Sequence, residues 1–398
     1  MSIWTAGPDL PWLHAGRATA WLRVLAAVSL AGVVGWILMS RGGLDPTGKP
    51  LGTDFTAFWS AARLVVEGAP PAAVYDAAQL SALQTAAFGG ADVGYAPFPY
   101  PPSFLLICLP LGLLPYLPAL GAWIAATGFA YWRVARAWLG EARGLALPAL
   151  AFPAVLINLG HGQNAFLTTA LFGAGALMLG RRDLLAGLCL GALAFKPHLG
   201  LLIPLVLLAS RNWRAFAGAA ASSVALTAAS AVVFRVEAWR AYPAQLAMMR
   251  EVVERGLLDP AKVQTVFGAL RLWDASLALA YAAQAAAALA AAAALVALAW
   301  RRPKSPALGP ALVAATLLVS PYMLDYDLLL SAIPLAWLFA EARKGGFLPW
   351  EKVLMLAAYV LPLAARLAAV TAGVAFAPWV LAALFILVLR RGLPPAAV

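Results

Sequence analysis

Apolar residues fall along this chain in long runs separated by short polar breaks. The first run, Trp21 to Ser40, has about the 20 residues that carry a helix across ~30 Å of hydrocarbon. Further runs follow at roughly 101–138, 146–159, 163–180, 184–195, 198–210, 214–234, 273–300, 307–321, 324–341, 350–367 and 370–389. Those at 146–159, 184–195 and 198–210 are too short to span a bilayer straight, while 101–138 holds one crossing plus a re-entrant or surface piece. Breaks at Gly160–Gly162 and Pro197 free backbone groups that only protein or a water-filled cavity can satisfy at membrane depth, so a cavity is expected there.

The two long segments between runs, 41–100 and 235–272, are patterned rather than random. From Phe55, apolar positions 58, 59, 62, 65 and 66 keep one helix face, with Arg63 and Glu67 four apart on another. Gly68, Pro70 and Pro71 end that helix, and a second candidate runs from Ala72 to Phe88, stopped by Gly89 and Gly90. A third follows the stripe 239, 242, 246, 249 and 253. Their amphipathic character places these helices on the membrane surface.

Composition turns the runs into a class. The chain is 63% hydrophobic and only 11% charged, with mean hydropathy +0.84, against about 25% charge in a soluble domain. The expected fold is all-α: a polytopic integral membrane protein of about 12 helices, forming a single membrane domain over 1–398. The net charge of +11 would suggest nucleic acid in a soluble protein, but its distribution reads as membrane orientation, and no nucleic-acid partner is expected. Taking each run as one crossing puts 17 of the 28 basic residues in short loops on one side, including Arg133, Arg136, Arg143, Arg181, Arg182, Arg301 and Arg302. The other side receives 12 of the 17 acidic residues, chiefly in the two long segments. Both termini then lie in the cytoplasm, the first run is a retained signal anchor, and the protein sits in the cytoplasmic membrane. Cys108 and Cys189 lie inside apolar runs and build neither a disulfide framework nor a metal-type spacing.

The chemistry-bearing residues stand at the breaks on the outer side. Asp54 opens the first amphipathic helix, where an aspartate is either an N-cap or a reactive carboxylate. "NLGHGQNAF" carries His161, Gln163 and Asn164, for which a capped turn is the plainer reading. "LAFKPHLG" sets Lys196 and His198 around Pro197, and a lysine at a helix end also snorkels. "LVSPYMLDYDLLL" brings Tyr322, Asp325 and Asp327. Four polar breaks facing one side of a bundle point together to a site open to the outer leaflet. No dinucleotide-binding, P-loop, metalloprotease or nucleophile-elbow motif is present, and His14, His161 and His198 form no metal set. A point charge at a helix break suits a phosphate, which makes Lys196 with His198 the candidate phosphate ligands.

In order, "DFTAFWSAARLVVEGAPPAAVYD", "YPPSFLLICLPLGLLPY", "GHGQN", "RRDLLAGLCLGALAFKPHLGLLIPLVLLASRNWR" and "SPYMLDYDLLL" resemble glycosyltransferase family 87, within the GT-C superfamily of membrane glycosyltransferases. The resemblance spans roughly residues 50–340. It implies transfer of a hexose, typically mannose, from a polyprenyl monophosphate carrier to an acceptor hydroxyl of a glycan or glycolipid at the outer face, among membrane lipids. It also implies that Asp54, in the first outer loop, is the catalytic base. Lys196 and His198 would then compensate the phosphate, while Gln163, Asn164, Tyr322, Asp325 and Asp327 would hold sugar or acceptor. No obligatory metal or other cofactor is inferred, because a monophosphate leaving group carries less charge than a pyrophosphate. Where many members carry a histidine near the late serine-proline, this chain has Tyr322. The rival class is a transporter or flippase of a lipid-linked sugar, since broken helices around polar sites also build transporters.

Overall fold

The computed structural model describes residues 10, 12–140 and 146–393. Arg143, counted above with the inner loops, lies outside them, as do residues 1–9 and 394–398 of the termini. Among the described residues the chain is helical throughout, and its only β pairing is isolated bridges.

Among the described residues four helices are long and apolar enough to cross a membrane: Ala15–Met39, Trp213–Glu254, Leu277–Arg301 and Glu351–Ala372. The count of twelve crossings is not reproduced as twelve full-length helices. Glycine and proline break most other runs into shorter pieces, such as Asp183–Gly191, Pro197–Gly200 and Leu202–Ala209. The run at 101–138 divides at Leu114 and Pro115 into Pro102–Cys108 with a 3-10 turn and the helix Tyr116–Leu139, the second piece its length required. Helix Trp213–Glu254 is two helices in sequence, because Arg235 takes a non-helical conformation at φ 60° and ψ 171°. That break falls where the apolar run 214–234 ends.

The direction of the broken pieces can be read from side chains. Asn212 Nδ2 donates to Asp183 Oδ1 at 2.7 Å, and Ser223 Oγ donates to the Gly191 carbonyl at 2.8 Å. Both partner positions advance together, so Asp183–Gly191 and the start of Trp213–Glu254 run parallel. The segment between them must therefore run back from the Gly191 end to the end where Asp183 lies. Glycines make the contact possible: a Cβ on Gly187 would stand 2.0 Å from the Ala215 carbonyl oxygen, and one on Gly191 2.1 Å from that of Ala219. Small residues that let backbones touch are how helices associate where lipid supplies no hydrophobic drive.

Ala15–Met39 has no buried residue and lies at the periphery. Helix Phe55–Val66 does not lie on a surface, contrary to its amphipathic pattern. Every residue from Phe55 to Ala62 is buried, because Gly112 lets the 3-10 turn Leu109–Leu113 pack on its backbone, where a Cβ would fall 2.6 Å from the Ala62 carbonyl carbon. An apolar stripe predicts what a helix face avoids, water, but not whether protein or lipid covers it.

Candidate active site

The position of Asp54 is fixed by two glycines. Gly52 at φ 74° and Gly162 at φ 60° adopt left-handed backbone that side chains disfavour. The two loops touch there: a Cβ on Gly162 would lie 3.3 Å from Gly52 Cα and 2.7 Å from Phe55 Cβ. Tyr116 Oη holds the first loop by donating to the Leu51 carbonyl at 2.7 Å, and Trp123 Nε1 holds the second by donating to the Gly162 carbonyl at 3.0 Å. Across this contact the Asp54 N–H donates to the His161 carbonyl at 3.0 Å.

Asp54 stands at the N-cap position of Phe55–Val66, yet its side chain makes no capping hydrogen bond. Its Oδ2 instead accepts from Gln163 Nε2 at 2.9 Å, and its Oδ1 lies 3.8 Å from His161 Nδ1. The side chain is 35% exposed, so one carboxylate oxygen is anchored and the group remains accessible. Asp76 offers the contrast. Its carboxylate accepts from the Ala78 and Gln79 N–H groups as a cap, and these bonds, that of Gln79 first, hold it below the usual carboxylate range.

Gln163 already holds three partners. Besides donating to Asp54, it accepts from Tyr100 Oη at 3.1 Å and from the Asn164 N–H at 2.7 Å through Oε1. It therefore acts on Asp54, and Tyr100 is a supporting residue the sequence did not flag. Lys196, only 3% exposed, donates to Asp327 Oδ1 at 2.5 Å and to Asn164 Oδ1 at 3.3 Å, with the Tyr326 ring 5.3 Å away. His198 Nε2 and Asn164 Nδ2 are buried without a hydrogen-bond partner. Asp325 is 2% exposed; its Oδ2 lies 3.5 Å from Arg366 Nη1, and His161, Arg366 and Lys262 lie close enough to act on it electrostatically. Tyr322 faces elsewhere. Its hydroxyl meets that of Tyr281 at 2.6 Å, and Tyr281 donates to Glu254 at 2.7 Å in the second long segment.

Thus all four breaks contribute to one polar cluster, joined by side-chain bonds between residues 32 to 131 apart in sequence, although Tyr322 of the fourth stands outside it. Arg366 and Lys262 carried no sequence signal, neither standing in a motif or at one of the four polar breaks. Alongside Pro197, an apolar cavity of about 390 Å³ is lined by Gly191, Ala194, Leu201, Phe216 and Ser223 among others.

Apolar helices of membrane-crossing length with a polar cluster at their breaks mark a membrane protein. The chain matches the model of glycosyltransferase family 87 over residues 98–321, more than half its length, and belongs to that family. It is a membrane glycosyltransferase, which decides between transferase and transporter. The match includes Gln163, Asn164, Lys196, His198 and Lys262, and it leaves out Asp54, Tyr322, Asp325, Asp327 and Arg366. No curated protein and no solved structure gives a match.

Proposed function

We propose that the protein transfers a hexose, mannose in the first instance, from a polyprenyl monophosphate carrier to an acceptor hydroxyl at the outer face of the cytoplasmic membrane, by an inverting single displacement. Asp54 accepts the acceptor's hydroxyl proton; the freed oxygen pair forms a bond to the anomeric carbon. The bond from that carbon to the phosphate oxygen breaks, and its electron pair leaves with the polyprenyl phosphate. The observation that carries this reading is that Asp54 occupies a capping position without capping. A carboxylate anchored on one oxygen by Gln163 and open on the other is how a general base is oriented toward a hydroxyl.

A long isoprenoid tail suits the apolar cavity beside Pro197. Asn164, whose Nδ2 is unpartnered, and Asp327 stand beside the cluster as groups for sugar or acceptor. Lys196 would serve the phosphate only by leaving Asp327.

Asp54→Asn tests the base. Asn caps helices about as well as Asp, so a structural Asp54 tolerates the change. As a base it does not: turnover of a radiolabelled lipid-linked sugar should fall by about 10² to 10⁴, while expression and donor binding persist. Wild-type turnover in this variant sinks the mechanism.

A further inference from the structure

Two cations beside the cluster have no role in the scheme so far. Arg366 lies near the C-terminal end of Glu351–Ala372, and Lys262 ends the 3-10 turn Pro260–Lys262. The antiparallel bridge between Val263 and Leu324, with the Gln264 N–H donating to the Met323 carbonyl at 2.9 Å, lays the second long segment along the late motif. In that register Lys262 is opposite Asp325. Arg366 reaches the same carboxylate at 3.5 Å and Asp259 at 3.8 Å. His161, Arg366 and Lys262 all act electrostatically on Asp325, and His161 also lies 3.8 Å from Asp54, which ties this group to the proposed base.

We propose that Arg366 and Lys262, gathered around buried Asp325, form the subsite for the donor's phosphate, in place of Lys196; this rests on the reading of the protein as a lipid-phosphate-dependent transferase. The two candidate sites differ in what their cations already do. The Lys196 ammonium is fully enclosed, at 3% exposure, and bonded to Asp327 at 2.5 Å. A phosphate there must displace Asp327 and leave a buried carboxylate without its counter-ion, a change that removing one partner of a buried pair shows to be strongly unfavourable. Arg366 is 40% exposed, and its contacts at 3.5 and 3.8 Å exceed the ~2.7–2.9 Å of a formed charge-assisted hydrogen bond. Its planar fork of donors is free to turn onto a phosphate, which it matches bidentately. The Lys262 ammonium makes no hydrogen bond or ion pair among the described residues.

Asp325 explains how two cations stay together. Its charge offsets their repulsion without a short bond to either, and its Oδ2 has no hydrogen bond at all. When the anomeric carbon–oxygen bond breaks, the phosphate passes from a singly charged diester to a monoester that gains a second charge. Cations aimed at that oxygen therefore bind the departing group more strongly than the donor, the condition for accelerating the step.

The test uses full-length protein in nanodiscs of neutral lipid and measures binding of synthetic polyprenyl phosphate. Arg366→Gln and Lys262→Met should each weaken binding about tenfold, as loss of one charge-assisted hydrogen bond does, and Arg366→Lys should retain most of it. Asp325→Asn should tighten binding, since it removes the competing carboxylate; a merely structural Asp325 cannot produce that gain. Wild-type affinity in Arg366→Gln and Lys262→Met overturns the subsite. So does equal competition by phosphatidylglycerol, which makes the cations a generic headgroup contact. If wild-type protein binds no polyprenyl phosphate while Asp54→Asn still abolishes transfer, the choice of carrier fails rather than the choice of residues alone, and the subsite falls with it.

Discussion

Replacing Lys196 with Met keeps the length of the stem and removes the ammonium, which leaves Asp327 as a carboxylate 2% exposed with its strongest partner gone. Asp327 would retain the Leu324 N–H at 3.2 Å, one long bond for a full charge. Breaking a buried pair by removing one partner costs about 3–5 kcal/mol, and the burial here argues for that full range. Asp327→Asn is the milder lesion, because the amide still accepts from Leu324 and Lys196 keeps Asn164. The double variant leaves no uncompensated charge, and replacing both partners of a buried pair is often close to neutral. The coupling between the two sites should therefore be at least about 2 kcal/mol, within the range measured for residues in contact. Thermal and denaturant unfolding of the four proteins in detergent, followed by intrinsic fluorescence, measures it. Additive losses refute the paired role. Unchanged stability in Lys196→Met together with lost polyprenyl phosphate binding would return Lys196 to the phosphate and displace Arg366.

Gln163→Ala should lower kcat about tenfold without raising the donor KM, because the lost hydrogen bond orients Asp54 rather than holding sugar. A raised KM with unchanged kcat would make Gln163 a substrate ligand, as the sequence suggested. Reporter fusions should place Gly90 and Gly256 outside the cytoplasm and Gly180 and Pro303 inside, following the short basic loops. A cytoplasmic Gly90 would put Asp54 on the wrong face for an outer-leaflet donor.

Helix boundaries were legible where a run ended in a residue with its own backbone demand. The 214–234 run stops at Arg235, and the observed kink is at that residue. The 273–300 run corresponds to Leu277–Arg301 and the 163–180 run to Ala165–Met178. Spanning was less legible than helicity. A helix of 13 residues rises about 20 Å, so pieces such as 183–195 reach across only if the bundle or thinned lipid completes the path, and hydropathy is blind to that. The same blindness misplaced Phe55–Val66, since burial against Gly112 depends on a residue some fifty positions away in sequence.

The polar breaks were legible one by one because ionisable groups in apolar sequence are costly and demand a reason. Their division of labour was not, because a hydrogen bond between residues far apart in sequence leaves no trace at either position. Gln163 reads from sequence as a free amide, whereas Tyr100, Asn164 and Asp54 already occupy it. Lys196 reads as a cation at a helix break, the right type for a phosphate, and nothing in the sequence announces Asp327 at 2.5 Å. Arg366 shows the converse. At the far end of the run 350–367 it carries no motif, and only the packing of Glu351–Ala372 against the late motif gives it a carboxylate to face. How far a cation is available to a ligand thus depends on whether it is buried close to its counter-ion, as at Lys196, or exposed and more distant from it, as at Arg366.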